Sequence, residues 1–184
     1  MKKIITLLIF IYINNCNAHF GIGGMVTHAG KVQTSLEGKR NTTDFTPYFH
    51  VSYPLPVLSN IYFIPEIGYL APKKGQNDYK KYQYYILGNF GYTLGDKQVL
   101  KGGVGVFYTE LKGEGGEVVL NNGSSTQTFY KPHGSSKSKN LSLNLGYEFF
   151  FQENTSLRAD TFILGFASSK KRSFNYALSV DFYL

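Results

Sequence analysis

The chain has 184 residues and a formal net charge of +7, with charged residues at 17% and aromatic residues at 16%. That length suits one domain, and charge is scarce beside the roughly 25% of an ordinary soluble domain. The aromatics are fifteen Tyr and fifteen Phe with no Trp, and twenty glycines are spread through the chain. Such a balance suits β-structure that shows apolar surface to something other than water. It argues against a charge-rich soluble domain.

The first eighteen residues read as an export signal. Lys2 and Lys3 form a basic start, Ile4 to Ile13 a short apolar run, and Cys16-Asn17-Ala18 a small-x-small cleavage site. The mature chain is expected to begin at His19. The apolar run is shorter than the ~20 residues a membrane helix needs, and no later stretch approaches that length. Cys16 is the sole cysteine, so the mature chain has no disulfide and no thiolate metal site. Lipid attachment at Cys16 is an alternative, although Ile13-Asn14-Asn15 is unlike the small residues that precede a lipidated cysteine.

From residue 19 onward the dominant signal is period-two alternation. A glycine-rich opening strand covers Phe20 to Gly30. In the second, Phe45, Pro47, Phe49, Val51 and Tyr53 oppose Thr46, Tyr48, His50 and Ser52. The third sets Ile61, Phe63, Pro65, Ile67 and Tyr69 against Tyr62, Ile64, Glu66 and Gly68. Pro65 lacks the N–H a ladder needs, which predicts a bulge beside Pro47 of the neighbouring strand. The fourth sets Tyr82 to Leu94 against Gln83 to Thr93. The fifth sets Leu100, Val104, Val106 and Tyr108 against Lys101, Gly103, Gly105 and Phe107. The sixth runs from Leu141 to Phe151, the seventh from Leu157 to Leu164, and the eighth from Phe174 to Leu184.

Strands of about 10–12 residues, tilted near 40°, span roughly 25–28 Å, the height of a membrane barrel's apolar band. Connections at 31–43, 72–81, 112–139 and 168–173 are long or charged, whereas 54–60, 95–99 and 152–154 are short. The sequence therefore predicts an all-β fold, an eight-stranded antiparallel up-and-down transmembrane β-barrel over residues 19–184. Even strand number places both mature termini on the periplasmic side. A soluble lipocalin-like calyx, acting as a ligand carrier, shares the strand count. Its outward faces should be rich in Lys and Glu, and here the polar faces are mostly Gly, Ser, Thr, Asn and Tyr.

The last strand carries Tyr176, Leu178, Val180, Phe182 and Leu184 at alternate positions. This resembles the C-terminal signature of bacterial outer-membrane proteins, although that pattern prefers a terminal Phe or Trp. With the signal and the strand count, the chain resembles small barrels of the OmpA/OmpX/OmpW type. The resemblance implies a monomer in the outer membrane, with lipid, lipopolysaccharide and the barrel-assembly machinery as partners. It implies no cofactor and no nucleic acid. Barrels of this type include adhesins, membrane stabilisers, small channels and lipid-modifying enzymes, and the fold does not choose among them.

Parity puts Glu66, Lys101, Glu148, Arg158, Asp160 and Asp181 in the lumen, where charges must pair or be hydrated. An internal ion-pair network is expected, with a gated ion path as the alternative. A turn at Gln152-Glu153-Asn154 pairs Glu148 with Arg158, and a symmetric turn after the seventh strand sets Asp160 near Asp181. Arg158 is then the hub. His50, Ser52 and Glu66 share inner faces, with Tyr48 expected opposite Glu66. His-x-Ser resembles the pattern of outer-membrane lipid A deacylases, but those reactive groups face lipid. The prediction is a non-enzymatic protein with no metal site.

Most positive charge falls in the long connections, which suits solvated surface or docking to anionic lipopolysaccharide. The longest connection, 112–139, holds Val118-Val119-Leu120 and Thr126 to Tyr130 around Asn122-Gly123, a hairpin signal. The fifth and sixth strands are expected to project beyond the membrane and to offer an edge to a surface partner.

Overall fold

A computed structural model describes residues 18–29, 33–34, 40–41, 44–74, 80–121, 126–130, 133–167 and 172–184. Residues 1–17, which hold Cys16 and all but the last residue of the expected export signal, lie outside them, as does most of 31–43. Eight strands form the wall: β1 (His19–Ala29), β2 (Asp44–Ser52), β3 (Ile61–Lys74), β4 (Lys80–Thr93), β5 (Gln98–Glu114), β6 (His133–Gln152), β7 (Thr155–Leu164) and β8 (Ser173–Tyr183). Each pairs antiparallel with its chain neighbours, and β1 closes the ring on β8 from His19↔Tyr183 to Ala29↔Phe174. Closure leaves no wall edge unpaired, which a hydrocarbon environment demands of every backbone N–H and C=O.

The alternation sorts side chains as expected, and outward residues stay exposed: Ile67 at 60%, Leu178 at 55% and Leu145 at 52%. Inward neighbours are buried, with Arg158 at 0% and Glu66 at 1%. An exterior of Ile, Leu, Phe and Tyr around a charged interior is the inverse of a soluble calyx, and it removes that alternative.

Two sequence expectations need correction. The connection 54–60 is not a simple turn, because Leu55–Leu58 forms a short strand that folds back on Ile61, Tyr62 and Phe63. This moves the turn to Ser59-Asn60 and resets β2 against β3. Ser52 faces Glu66, His50 faces Gly68 and Tyr48 faces Leu70. The register is four residues from the one a centred turn gives.

Pro65 makes no bulge. It pairs with Gly88 in a β3–β4 ladder that is regular from Ile61↔Tyr92 to Leu70↔Gln83. On its other side Leu55–Leu58 has ended and β2 has begun, and Tyr53 N–H donates to the Pro65 carbonyl at 3.1 Å. The return bond that Pro65 cannot make falls at this handover, where the ladder changes partners anyway.

The connection 112–139 is strand at both ends rather than loop throughout, in line with the expected projection of the fifth and sixth strands. The β5–β6 ladder continues to Glu114↔His133, and residues 117–121 pair with 126–130 beyond it. With 20 residues, β6 is roughly 65 Å long at about 3.3 Å per residue. Even tilted, it exceeds an apolar band of about 25 Å. The two strands therefore stand out from the barrel as a ribbon.

Candidate functional site

The lumen has two layers. Toward the loop end it is apolar, with Met25, Tyr48, Leu70, Tyr85, Phe107 and Phe162 in one buried cluster. Tyr85 meets Phe162 at 5.1 Å and Phe107 at 5.5 Å between ring centroids. Toward the termini it is charged. Glycines make room at both levels. A Cβ on Gly68 would enter the Tyr85 ring, and one on Gly21 would collide with His50 and Asp181.

Arg158, on β7, is the centre of the charged layer. Its Nη2 lies 2.7 Å from Glu66 Oε2, its Nε 2.5 Å from Asp160 Oδ2, and its Nη1 3.7 Å from Asp181 Oδ2. Nη1 also donates to His50 Nδ1 at 3.3 Å. Because Nδ1 accepts, the imidazole proton sits on Nε2, which donates to Asp181 Oδ1 at 3.1 Å. Ser179 donates to the same oxygen at 2.7 Å. Tyr85 donates to Glu66 Oε1 at 2.8 Å. Each acid is thus held by a cation or several donors, the condition under which buried charge is tolerated.

Lys101 and Glu148 form a second group. Lys101 Nζ is 2.6 Å from Glu148 Oε2, while Ser156 donates to Oε1 at 2.5 Å and the Tyr183 hydroxyl donates there as well. Glu148 faces Arg158 in the ladder, as the turn argument requires. The expected Glu148–Arg158 ion pair is nonetheless not the one formed. Arg158 reaches across the lumen to Glu66, and Lys101, on a diagonal of the β5–β6 ladder, takes Glu148. Asp160 faces Ala177 rather than Asp181, because the β7–β8 turn is centred nearer Phe166 than a symmetric loop would put it. Arg158 still lies between the two carboxylates by reaching along its own strand to one and diagonally to the other.

Reading the sequence missed Tyr85, Tyr183 and Ser156 as partners of these acids. Each is an inward polar residue, so parity alone was the available signal. His50 was singled out, but for another role. The Ser52 hydroxyl lies 3.3 Å from His19 Nδ1 and His50 is engaged with Arg158 and Asp181, so Ser52, His50 and Glu66 do not form a relay. Ligand atoms of His19, Glu148 and Asp181 lie within 4.8 Å of one another. Lys101 already supplies the cation at Glu148.

On the outside, Tyr176, Leu178, Val180, Phe182 and Leu184 run along the outer side of the last strand, and Phe182 stacks on Phe20 of β1 at 5.2 Å. At the ribbon, Val119 is 60% and Tyr130 79% exposed.

No protein-family model and no curated protein matches the chain. Solved structures do. Ail, the attachment invasion locus protein of Yersinia pestis, aligns with a TM-score of 0.58 at 11% identity, over 92% of this chain and 99% of Ail. The outer membrane protein OprG of Pseudomonas aeruginosa aligns with 0.56 at 12% identity, over 92% and 96%. Neisserial surface protein A aligns with 0.50 at 13% identity, over 91% and 96%. At these identities the likeness is one of architecture: the chain has the eight-stranded up-and-down barrel fold seen in small outer-membrane proteins.

Proposed function

We propose that the protein sits in a bacterial outer membrane with both termini in the periplasm and acts there without catalysis, as a structural and adhesin-like surface barrel. The observation that carries this reading is the ribbon. The β5–β6 ladder runs unbroken to Glu114↔His133, and the hairpin 117–121/126–130 beyond it exposes Val119 and Tyr130. A stiff, partly apolar ribbon held away from the bilayer suits capture of a surface partner through side chains and strand edges.

The filled lumen supports this reading over solute passage, since an aromatic layer lies directly above an ion-paired one. Inward placement of His50, Ser52 and Glu66 supports it over lipid A modification, which needs reactive groups at the lipid face.

The test removes residues 115–132 and joins the ladder ends with a short turn. Intact cells carrying the full chain should be cut by added protease within 115–132 and should attach to a host-cell layer. Cells carrying the shortened chain should export a folded barrel that attaches no better than cells lacking the protein. Undiminished attachment by the shortened chain would overturn the role given to the ribbon.

A further inference from the structure

On three adjacent strands the outer face changes character at the ribbon's base. β4 passes from Phe90 and Ile86 to Tyr84, Tyr82 and Lys80. β5 passes from Val104 and Val106 to Tyr108, Glu110 and Lys112. β6 passes from Leu145 and Leu141 to Lys139 and Lys137. The registers bring these changes side by side. Tyr84 faces Tyr108, which faces Lys139, and Tyr82 faces Glu110, which faces Lys137. Tyrosines at this height form the interfacial girdle of a membrane barrel, so the charges beyond them stand at headgroup level.

The arrangement is built rather than scattered. Tyr84 and Tyr108 stack at 4.8 Å. Lys139 Nζ lies 5.6 Å from the centre of the Tyr108 ring and Lys112 Nζ 5.2 Å from that of Tyr82. Lys112 and Lys137 each approach Glu110 at 3.8 Å, and Ser135 donates to it at 2.9 Å. A shallow groove runs between Tyr84, Tyr108, Glu110, Lys137 and Lys139. Lys137 remains 75% exposed despite its ion pair.

We propose that this groove seats the phosphorylated sugar headgroup of an outer-leaflet glycolipid of the lipid A class. Apolar wall below the tyrosines takes its acyl chains. Lys137 and Lys139 take a phosphate, as ammonium groups at a membrane surface do. The stacked Tyr84 and Tyr108 rings border the sugar's seat. Glu110 favours a large headgroup: it repels a phosphate set directly beside it, whereas a sugar ring can keep its phosphate on Lys137 and Lys139 while its hydroxyls donate to the carboxylate. The proposal rests on the outer-membrane reading above, with the ribbon end outward.

The test uses the mature barrel folded in detergent micelles, where orientation plays no part. It is given bis-phosphorylated lipid A, dephosphorylated lipid A or phosphatidylglycerol, and retained lipid is counted by native mass spectrometry. The unaltered protein should retain bis-phosphorylated lipid A above the other two. Lys137→Gln with Lys139→Gln should weaken that retention by roughly tenfold or more, on the order of one lysine's attraction per site. Lys97→Gln, at the opposite end of the barrel, should leave it unchanged. Glu110→Gln should raise phosphatidylglycerol retention. Equal retention of lipid A and phosphatidylglycerol by the unaltered protein would reduce the groove to a plain basic surface and overturn the proposal, as would full retention by the double variant. Either failure leaves the cell-attachment result standing, since the removed segment 115–132 contains none of these residues.

Discussion

The wall and the lumen are built from the same strands, one residue apart, and they obey opposite rules. Along β8, Leu178 is exposed and apolar while Ser179 is buried, polar and hydrogen-bonded. Stability in the wall comes chiefly from matching a solvent that is itself apolar, so an outward residue depends more on its depth than on its partners. In the lumen no side chain acts alone, because each acid is held by partners from other strands. The difference teaches that outward substitutions should be judged by depth in the bilayer, and inward ones by which partners they strand.

The largest effect is therefore expected inside. Arg158→Leu leaves Glu66, Asp160 and Asp181 without their shared cation. Breaking a buried pair in this way costs about 3–5 kcal/mol where water is excluded. Urea unfolding in lipid vesicles measures it. Adding Glu66→Leu should recover part of the loss, since the two share a direct ion pair. Adding Glu148→Gln should come much closer to simple addition, because Glu148 is bound to Lys101 instead. Equal recovery by both second substitutions would show that the two luminal groups are one.

Val180→Arg sharpens the comparison from the other side. It faces hydrocarbon near the terminal end and should weaken insertion by up to about 2–4 kcal/mol according to depth. A spin label at 180 should partition into lipid and one at 179 should not. Equal partitioning would reverse the assignment of faces. A smaller loss, about 1–3 kcal/mol, is expected for Gly21→Ala, whose methyl would meet the His50–Asp181 pair. The same change at Gly102, where a Cβ finds nothing nearer than 3.7 Å, should cost less in the same unfolding assay.

The smallest effect belongs to the ribbon. Removing 115–132 takes away no wall pairing below Glu114↔His133, so heat-modifiable gel migration should be unchanged and stability should move by no more than about 0.5 kcal/mol. A barrel that no longer folds without this segment would mean that the projecting hairpin takes part in closure.

Much of this molecule is written locally. Strand period, strand number and the faces of the regularly alternating wall residues follow from alternation alone, because successive Cβ atoms must point to opposite sides of a strand. That suffices to put Glu66, Lys101, Glu148, Arg158, Asp160 and Asp181 inside and Tyr176, Leu178, Val180, Phe182 and Leu184 outside. It also yields Glu148 opposite Arg158, since the turn joining their strands is short and leaves little choice of register. Tertiary structure decided who meets whom. The fold-back of Leu55–Leu58 moved β2 by four residues against β3, and an off-centre turn moved Asp160 away from Asp181. Arg158 found Glu66 across the lumen, a contact 92 residues apart in sequence. Alternation records a side chain's direction but not its height along the barrel or the strands that face it after closure. Those depend on where each turn is centred and on the stagger of the closed ring, which no single strand carries.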